Sequence, residues 1–433
     1  MQNESEIRYL NRYYRGEQPI WGKVKSVRPE INNIVVENRA NEITAFKTGY
    51  LIGEPLQYIG KNGKSEEIDV LNRYMFLEDK DDKDRELVDD QHIGGTGYRM
   101  VLPNKQNTVD DAPFSIYTLN PEKTFAVYTT ALGNRNVLSG IIIPQETGEN
   151  IYYCYTDKLY FEIQNRQVRV KPNVLGMNPI VEYPANTFRL GAFEIVIPIL
   201  DAMNTIASNR TDSVEQFVQS LMVFKNCDID SDDYQKLREE GAIKIKSDNM
   251  TPADVEILVQ ELNQMQTQEL VDYMYQTVLD ICGMPNRNGG SSTSDTGSAV
   301  IMRDGWQSAE ARAKDSEKIF TRSEKQFLRR VLKILREKTS MNLMLGDIDI
   351  KFTRRNYENL LGKAQVLTML LAQAKVHPRL AFTHCGLFTD AESAYLQSME
   401  YYDRNRENAA AGVMSEGETG NPVQVLQSTA GEN

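Results

Sequence analysis

Few residues of this chain are of the kinds that do covalent or metal chemistry, and their spacing does not suit it. There are three histidines, His92, His377 and His384, and four cysteines, Cys154, Cys227, Cys282 and Cys385. A zinc site needs ligands grouped at short spacings. No two cysteines lie close together here, and the neighbours His384 and Cys385 point in different directions. Thiols scattered in this way suit a reducing cytoplasm. A nucleophile–base–orienter set needs a base with a partner, and three histidines offer little material for one. No paired-carboxylate arrangement stands out, and there is no Walker motif, so the chain is not expected to hydrolyse ATP. The expectation is no catalytic residue, no metal ligand and no cofactor.

Two stretches still invite a chemical reading. Gly94-Gly95-Thr96-Gly97 is glycine-rich enough to suggest a phosphate loop. It lacks the GK[ST] ending and leads into a strand, whereas cradling a phosphate calls for a helix N-terminus. It reads as a glycine-permitted bend in a sheet. The run Glu78-Asp79-Lys80-Asp81-Asp82-Lys83-Asp84 could attract a cation, but the DxDxDG spacing with a closing glutamate is missing. It reads as a solvated face or loop.

The elements that would carry such residues come next. A chain of 433 residues implies two to four domains at about 100–200 residues each. With 40% apolar and 25% charged residues it is an ordinary globular composition, neither wholly disordered nor fibrous. Helices are expected at Glu6–Tyr14, Asn32–Tyr50 and Ser65–Leu77, and a strand at Leu56–Ile59. From about Gln91 to Tyr183 short runs rich in Val, Ile, Tyr and Phe alternate with turn residues, as in an antiparallel meander. The strands there are His92–Leu102, Ser115–Leu119, Thr124–Tyr128, Val137–Ile143, Ile151–Tyr155, Lys158–Ile163 and Gln167–Val170.

Beyond Gly191 the chain turns helical. Long helices are expected at Phe193–Val223 and Glu256–Cys282, flanking a mixed insert. A glycine–serine loop, Asn286 to Gly297, then precedes a helix over Ser298–Lys338. At about forty residues it far exceeds the usual three to four turns. Asp347–Arg354 alternates as a strand, Tyr357–Ala374 and Asp390–Asp403 are helical, and the chain from Glu407 reads as a disordered tail. The start, MQNESEIRYL, lacks the layout of a secretory signal. No apolar run approaches the roughly 20 residues that span a bilayer, so a soluble protein with no membrane partner is expected.

Charge is distributed unevenly. The net charge is −12, a poor basis for a tight DNA clamp, since Lys and Arg supply most non-specific affinity. It is compatible with letting DNA slide past. From Thr251 to Gly283 there is no Lys or Arg, while Asp254, Glu256, Glu261, Glu269, Asp272 and Asp280 are acidic. The following long helix ends in Lys325, Arg329, Arg330, Lys333, Arg336 and Lys338. Cations late in a helix suit its dipole; phosphate contact is the other reading. Helices of such length with weak apolar stripes pack naturally against copies of themselves in an oligomer.

Several phrases resemble those of portal proteins from tailed siphophages. Tyr13-Tyr14-Arg15-Gly16-Glu17-Gln18-Pro19-Ile20 is similar to the family's YYxGxxPI opening. Asn32–Asn38 through Lys47–Pro55 is similar to its NxIxxN…GYxxGxPV segment. Gly94–Arg99 resembles the glycine–aromatic strand that follows. Thr296-Gly297-Ser298-Ala299-Val300 resembles the step into the long helix, and Lys325–Arg336 that helix's basic end. Order and spacing agree over roughly residues 8–400, although the strand region 115–170 aligns with no motif.

The resemblance implies an α+β portal fold with a mixed α/β wing, a long helical stem, a small α/β clip and a helical crown, assembling as a ring. By position, 1–188 would be wing, 189–223 a stem helix, 224–255 clip and 256–284 a second stem helix. Residues 285–297 would be a tunnel loop, 298–355 a spine helix with a strand returning to the wing, and 356–406 crown, before the tail 407–433.

The tunnel loop facing DNA would be Asn286, Arg287, Asn288, Gly289, Gly290, Ser291, Ser292, Thr293, Ser294 and Asp295. Glu261, Glu269, Asp272 and Asp280 would form an acidic channel wall. Asp228, Asp230, Asp232, Asp233, Lys244 and Lys246 would shape the adaptor-binding clip. The implied partners are eleven further copies in a dodecamer and double-stranded DNA held without sequence specificity. The others are the major capsid protein, the terminase large subunit, the scaffolding protein and adaptor or neck proteins. The protein would sit in the virion after assembly in the host cytoplasm. Two other readings stay open at this stage: a metal-dependent nuclease or transferase on an α+β fold, and another multimeric phage scaffold.

Overall fold

A computed structural model describes residues 2–26, 29–61, 64–105, 108, 110–146, 148–218, 221–225, 254–258, 264–286, 305–339, 341–353, 360–388 and 391–416. The chain divides into two compact units, Met1–Pro55 with Gly60–Ile348, and Leu56–Ile59 with Asp349–Asn433.

The first unit opens with helix α1 (Gln2–Tyr14), whose Ile7, Leu10 and Tyr13 turn inward. Helix α2 (Arg39–Ile52) begins later than the sequence suggests, because Asn32–Glu37 is extended and Asn38 takes a left-handed conformation at φ 40°. The cause is a set of side chains on α5 (Ile197–Val218), which capture alternate backbone N–H groups. Asn33 donates to Asp212 Oδ1 at 2.6 Å, Val35 to Ser208 Oγ at 2.9 Å and Glu37 to Asn204 Oδ1 at 2.9 Å. All three acceptors are buried. A helix at 32–38 would have used those N–H groups itself.

After α3 (Ser65–Leu77) the acidic run departs from expectation. It opens helix α4 (Lys80–Gly94), with Asp79, Asp81 and Asp82 exposed as a solvated face requires but two of its charges turned inward. Lys80 and Asp84, one turn apart, are each only 2% exposed. His92, expected on a strand, is also in this helix. Gly95 ends it at φ 78°, and a Cβ there would lie 1.9 Å from the Arg189 carbonyl oxygen. Glycine is the residue such a left-handed helix stop requires.

Two antiparallel sheets follow. Strands β2 (Thr96–Pro103), β3 (Phe114–Leu119) and β9 (Ile180–Pro184) pair in the order β3-β2-β9. Strand β9 lies beyond Gln167–Val170, the last strand of the meander expected from the sequence. Strands β4 (Thr124–Tyr128), β5 (Asn136–Pro144), β6 (Asn150–Tyr155), β7 (Leu159–Gln164) and β8 (Gln167–Pro172) form an uninterrupted five-stranded meander.

The long helices are shorter than expected. α5 stops at Val218, and Leu221–Lys225 forms β10, paired antiparallel with β11 (Asp254–Leu258). An apolar run such as Leu221–Phe224 suits helix or strand by pattern alone, and the cross-strand partner decides. The next helix, α6 (Gln264–Cys282), therefore begins after β11 and not at Glu256. Helix α7 spans Trp306–Thr339. Residues 298–304 of the expected spine helix lie outside the described residues.

Helices α1, α2, α4, α5 and α6 share one apolar core around Tyr13, Ile43, Phe193, Leu200, Val278 and Leu279. Helix α7 lies along β9 and β2, and here the interior is charged. Lys80 Nζ sits 2.5 Å from Asp84 Oδ2 and 3.1 Å from Glu324 Oε1. Arg99 Nη2 donates to Asp84 Oδ1 at 2.5 Å, and the Tyr183 hydroxyl donates to Glu324 Oε2 at 2.7 Å. The Arg99 guanidinium lies 5.1 Å from the Phe327 ring centroid and 5.5 Å from that of Tyr183. Burial opposes the Asp84 charge, but Lys80 and Arg99 outweigh it and hold the carboxyl below its ordinary range.

The second unit pairs β1 (Gln57–Gly60) with β12 (Ile348–Lys351), within the span the sequence marks as a strand. Helices α8 (Leu360–Leu371), α9 (Pro378–Cys385) and α10 (Ala391–Glu416) pack in succession, with Phe382 stacked on Phe388 and edge-on to Tyr395. Helix α9, unforeseen in the sequence, starts where His377 Nδ1 accepts from the Arg379 N–H at 3.2 Å. Helix α10 runs past Glu407 to Glu416, where a disordered tail is expected; Ala409, Ala410 and Ala411 are the strongest helix formers. The rest of that tail lies outside the described residues.

Two outcomes follow. Glu324→Ala leaves Lys80 and Arg99 buried with one acid between them, and should cost about 3–5 kcal/mol in denaturant unfolding. Asp212 is held below the ordinary carboxyl range: burial pushes its pKa up, but Lys23, the Asn33 N–H and Lys25 outweigh it. A carboxyl depressed in the folded state stabilises above its unfolded value of about 3.9, and that stability is lost as pH falls through the folded value. Asp212→Asn should therefore cost about 1–3 kcal/mol at neutral pH, and the gap to the parent should narrow below about pH 4, read from denaturant midpoints at both pH values.

Candidate functional site

Helix α6 has two unlike faces. Val271, Met274, Tyr275, Val278, Leu279 and Cys282 pack into the core. Glu269, Asp272, Gln276 and Asp280 recur at three- and four-residue spacing on the opposite side. Of these, the three acids are exposed. Gln268 donates to Asp272 at 2.8 Å and Gln276 to Asp280 at 3.0 Å, which steadies the carboxylates without neutralising them. Met265 and Tyr273, 77% and 71% exposed, stand among them. Three of the four acids expected on a channel wall thus share one surface, while Glu261 lies outside the described residues.

The stretch expected to face DNA begins at the end of α6. Asn286 donates to Gln276 at 2.5 Å. Residues 287–304, which include Arg287 through Asp295, lie outside the described residues. Their two ends do not. Gly305, at φ 80°, sits against Pro285, so that a Cβ on it would be 3.9 Å from the Pro285 Cα. The described residues on either side of that span thus lie close together, and Trp306 packs against α2. Its ring centroid lies 6.0 Å from that of Tyr50 and 6.2 Å from that of Phe46 on α2.

The insert between α5 and α6 is treated alike. Strands β10 and β11 pair from Leu221↔Leu258 to Lys225↔Asp254, so residues 226–253 start and finish side by side. Asp228, Asp230, Asp232, Asp233, Lys244 and Lys246 all lie in that span, outside the described residues.

The basic end of α7 is two sets of residues, a division the one-dimensional pattern hides. Arg330 turns inward and donates to the carbonyls of Asn178 and Gln326, both at 2.6 Å. Burial pushes its guanidinium pKa down to about 10. Lys338 donates to the Asn104 carbonyl at 3.2 Å, and Lys333 sits 4.0 Å from Glu337. Arg322, Lys325, Arg329 and Arg336 are exposed on the other side, and no ion pair with a described residue engages them. The only acid between Ile319 and Arg336 is Glu324, which is committed to the interior.

Among the described residues no three His, Cys, Asp or Glu side chains group as a metal site. No described helix is long and apolar enough to cross a membrane. The described residues form an α+β fold with long helices, one bearing an acidic and another a basic outer face. The sequence profile of the SPP1 Gp6-like phage portal proteins matches residues 2–410, and the chain belongs to that family. Membership makes it a structural component of the virion, a head-to-tail connector subunit. Among solved structures, a chain of the "virion of native gene transfer agent (GTA) particle" is similar at 11% identity and a TM-score of 0.44. The alignment covers 80% of this chain and 89% of that one. No curated protein matches.

The split of the basic end predicts opposite outcomes for neighbours. Arg330→Ala should cost about 1–3 kcal/mol by stranding the buried Asn178 carbonyl, whereas Arg329→Ala should stay within about 0.5 kcal/mol, both measured by thermal or denaturant unfolding.

Proposed function

We propose that twelve copies of this chain form a ring at one vertex of the capsid, through which double-stranded DNA passes during packaging and ejection. The observation that carries this reading is the acidic face of α6, turned away from the core, ending beside a loop rooted at Pro285 and Gly305. Uncompensated carboxylates repel phosphate, so a wall bearing Glu261, Glu269, Asp272 and Asp280 lets a duplex slide where a basic wall would bind it. The small polar residues Gly289 to Ser294, between Arg287 and Asp295, follow a groove without reading bases.

On this reading α5 and α6 are stem, and 226–253 with β10 and β11 is clip, docking the terminase large subunit during packaging and adaptor or neck proteins afterwards. Helix α7 is the spine, and α8 to α10 the crown. The major capsid protein and scaffolding protein meet the wing. Large apolar side chains left exposed on the last helices, among them Val366, Met369, Leu396, Tyr401 and Tyr402, favour an oligomer in which copies cover them.

Negative-stain microscopy of the purified chain, with mass measured on the same sample and the phage's scaffolding protein added where needed, tests the reading. Rings with a central channel and a mass near twelve subunits are expected. A monomer or dimer that persists with scaffolding protein present would sink it.

A further inference from the structure

A cavity of about 250 Å³ lies where α2, the end of α6 and the start of α7 meet the chain at 185–195. Its walls include Lys47, His92, Cys282, Arg312 and Ser316, and no aspartate or glutamate among the described residues. Lys47 is largely removed from water and has no hydrogen-bond acceptor or carboxylate partner among the described residues. Burial pushes its amine below the usual lysine range; Cys282 offsets this a little, and Arg312 adds to it. Arg312 leans across the mouth, donating to the Ile281 carbonyl at 2.6 Å and the Asp280 carbonyl at 3.3 Å. Gly283 makes room for it, since a Cβ there would stand 2.2 Å from the Arg312 Cδ. His92 brings no charge, because burial and then Lys47 push its pKa down to about 3.

Two cations, Lys47 and Arg312, thus line the pocket with no acidic counter-charge among the described residues. A largely buried ammonium without a partner either gives up its proton or takes an anion, and the exposed Arg312 at the mouth adds a positive charge that is not lost at neutral pH. The space far exceeds the roughly 30 Å³ share of one water. It falls below the roughly 300–1,000 Å³ of sites for larger organic ligands. A tetrahedral oxyanion with a water or two fits between those limits. We propose that this cavity is a binding site for a small oxyanion of the phosphate class, held by Lys47 and Arg312. The proposal goes beyond the ring-and-channel reading and does not depend on it.

The test is a titration of the full-length protein with inorganic phosphate at neutral pH, with chloride exchanged to keep ionic strength constant. Binding is followed by calorimetry and by the melting temperature. Saturable binding and a rise in melting temperature are expected for the parent and for Lys47→Arg, and neither for Lys47→Met. In chloride alone Lys47→Met should melt at or above the parent, since it removes an uncompensated buried cation; a merely structural lysine would give the reverse. Ala313→Leu, which fills the cavity and keeps both cations, is a second variant and should also lose binding. Phosphate is excluded from protein surfaces and stabilises many proteins without a site. An equal rise in the parent and Lys47→Met would therefore overturn the proposal, as would an absence of saturable binding or retention of binding in Ala313→Leu.

Discussion

Glu324 sits at full burial between Lys80, Arg99 and the Tyr183 hydroxyl, and the placement of four elements depends on it. Two cations and two anions, with Asp84 as the second acid, cancel inside the first unit. Such a set adds little net stability over an apolar core of equal volume, because desolvation consumes most of the Coulomb gain. What it adds is register. A one-residue slip of α7 rotates its side chains by about 100° and withdraws Glu324. A one-residue slip of β2 sends Arg99 to the other face of the sheet. Either leaves unpaired charge in a dry interior, which costs more than any local packing gain returns. The network excludes misassembled versions of the α4–β2–β9–α7 layer more strongly than it holds the correct one.

The contact between α5 and the extended segment 33–37 works by the same rule with neutral groups. Asn204, Ser208 and Asp212 stand every fourth residue along α5, and they meet every second residue of the extended chain. Four helical residues rise about 6 Å and two extended residues about 6.6 Å, so the two repeats stay in step over three rungs. Gln18 extends the row by its hydrogen bonds to Asn204 and Asn38, and Lys23 and Lys25 close it at Asp212. A segment with no sheet partner thereby has its N–H groups satisfied by a helix.

These two devices explain which parts of the fold were legible in the sequence. The meander β5 to β8 was readable within a residue or two, because alternation and turn residues are local signals. The stop of α6 at Gly283, with φ 67°, was readable for the same reason. The residues that failed were those whose conformation is settled by distant partners. Asn32–Asn38 has helical spacing and is extended because α5 takes its N–H groups. Lys80 and Asp84 belong to a run that looks solvated and are buried because Arg99 and Glu324 wait in the core. Leu221–Lys225 is a strand because Asp254–Leu258 pairs with it. The acidity of the outer face of α6 was legible in composition, through the absence of Lys and Arg between Thr251 and Gly283. Which acids share a face, and which of the cations in α7 are free, required the structure.

The division of α7 shows how fold and function share one helix. Between Ile319 and Arg336 it carries six cations and one acid. The acid goes inward and completes a neutral set, and Arg330 goes inward onto two carbonyls. What stays outside is basic because the inside took the only negative charge. Helix α6 makes the opposite choice: its inner face is apolar, so all of its carboxylates are left to solvent. The chain thus obtains one strongly acidic and one strongly basic helical surface. Both surfaces can vary in charge at small cost to the fold, since neither Arg329 nor Asp272 contributes to the interior. The residues that set register and those left on the charged outer faces are therefore different residues of the same helices.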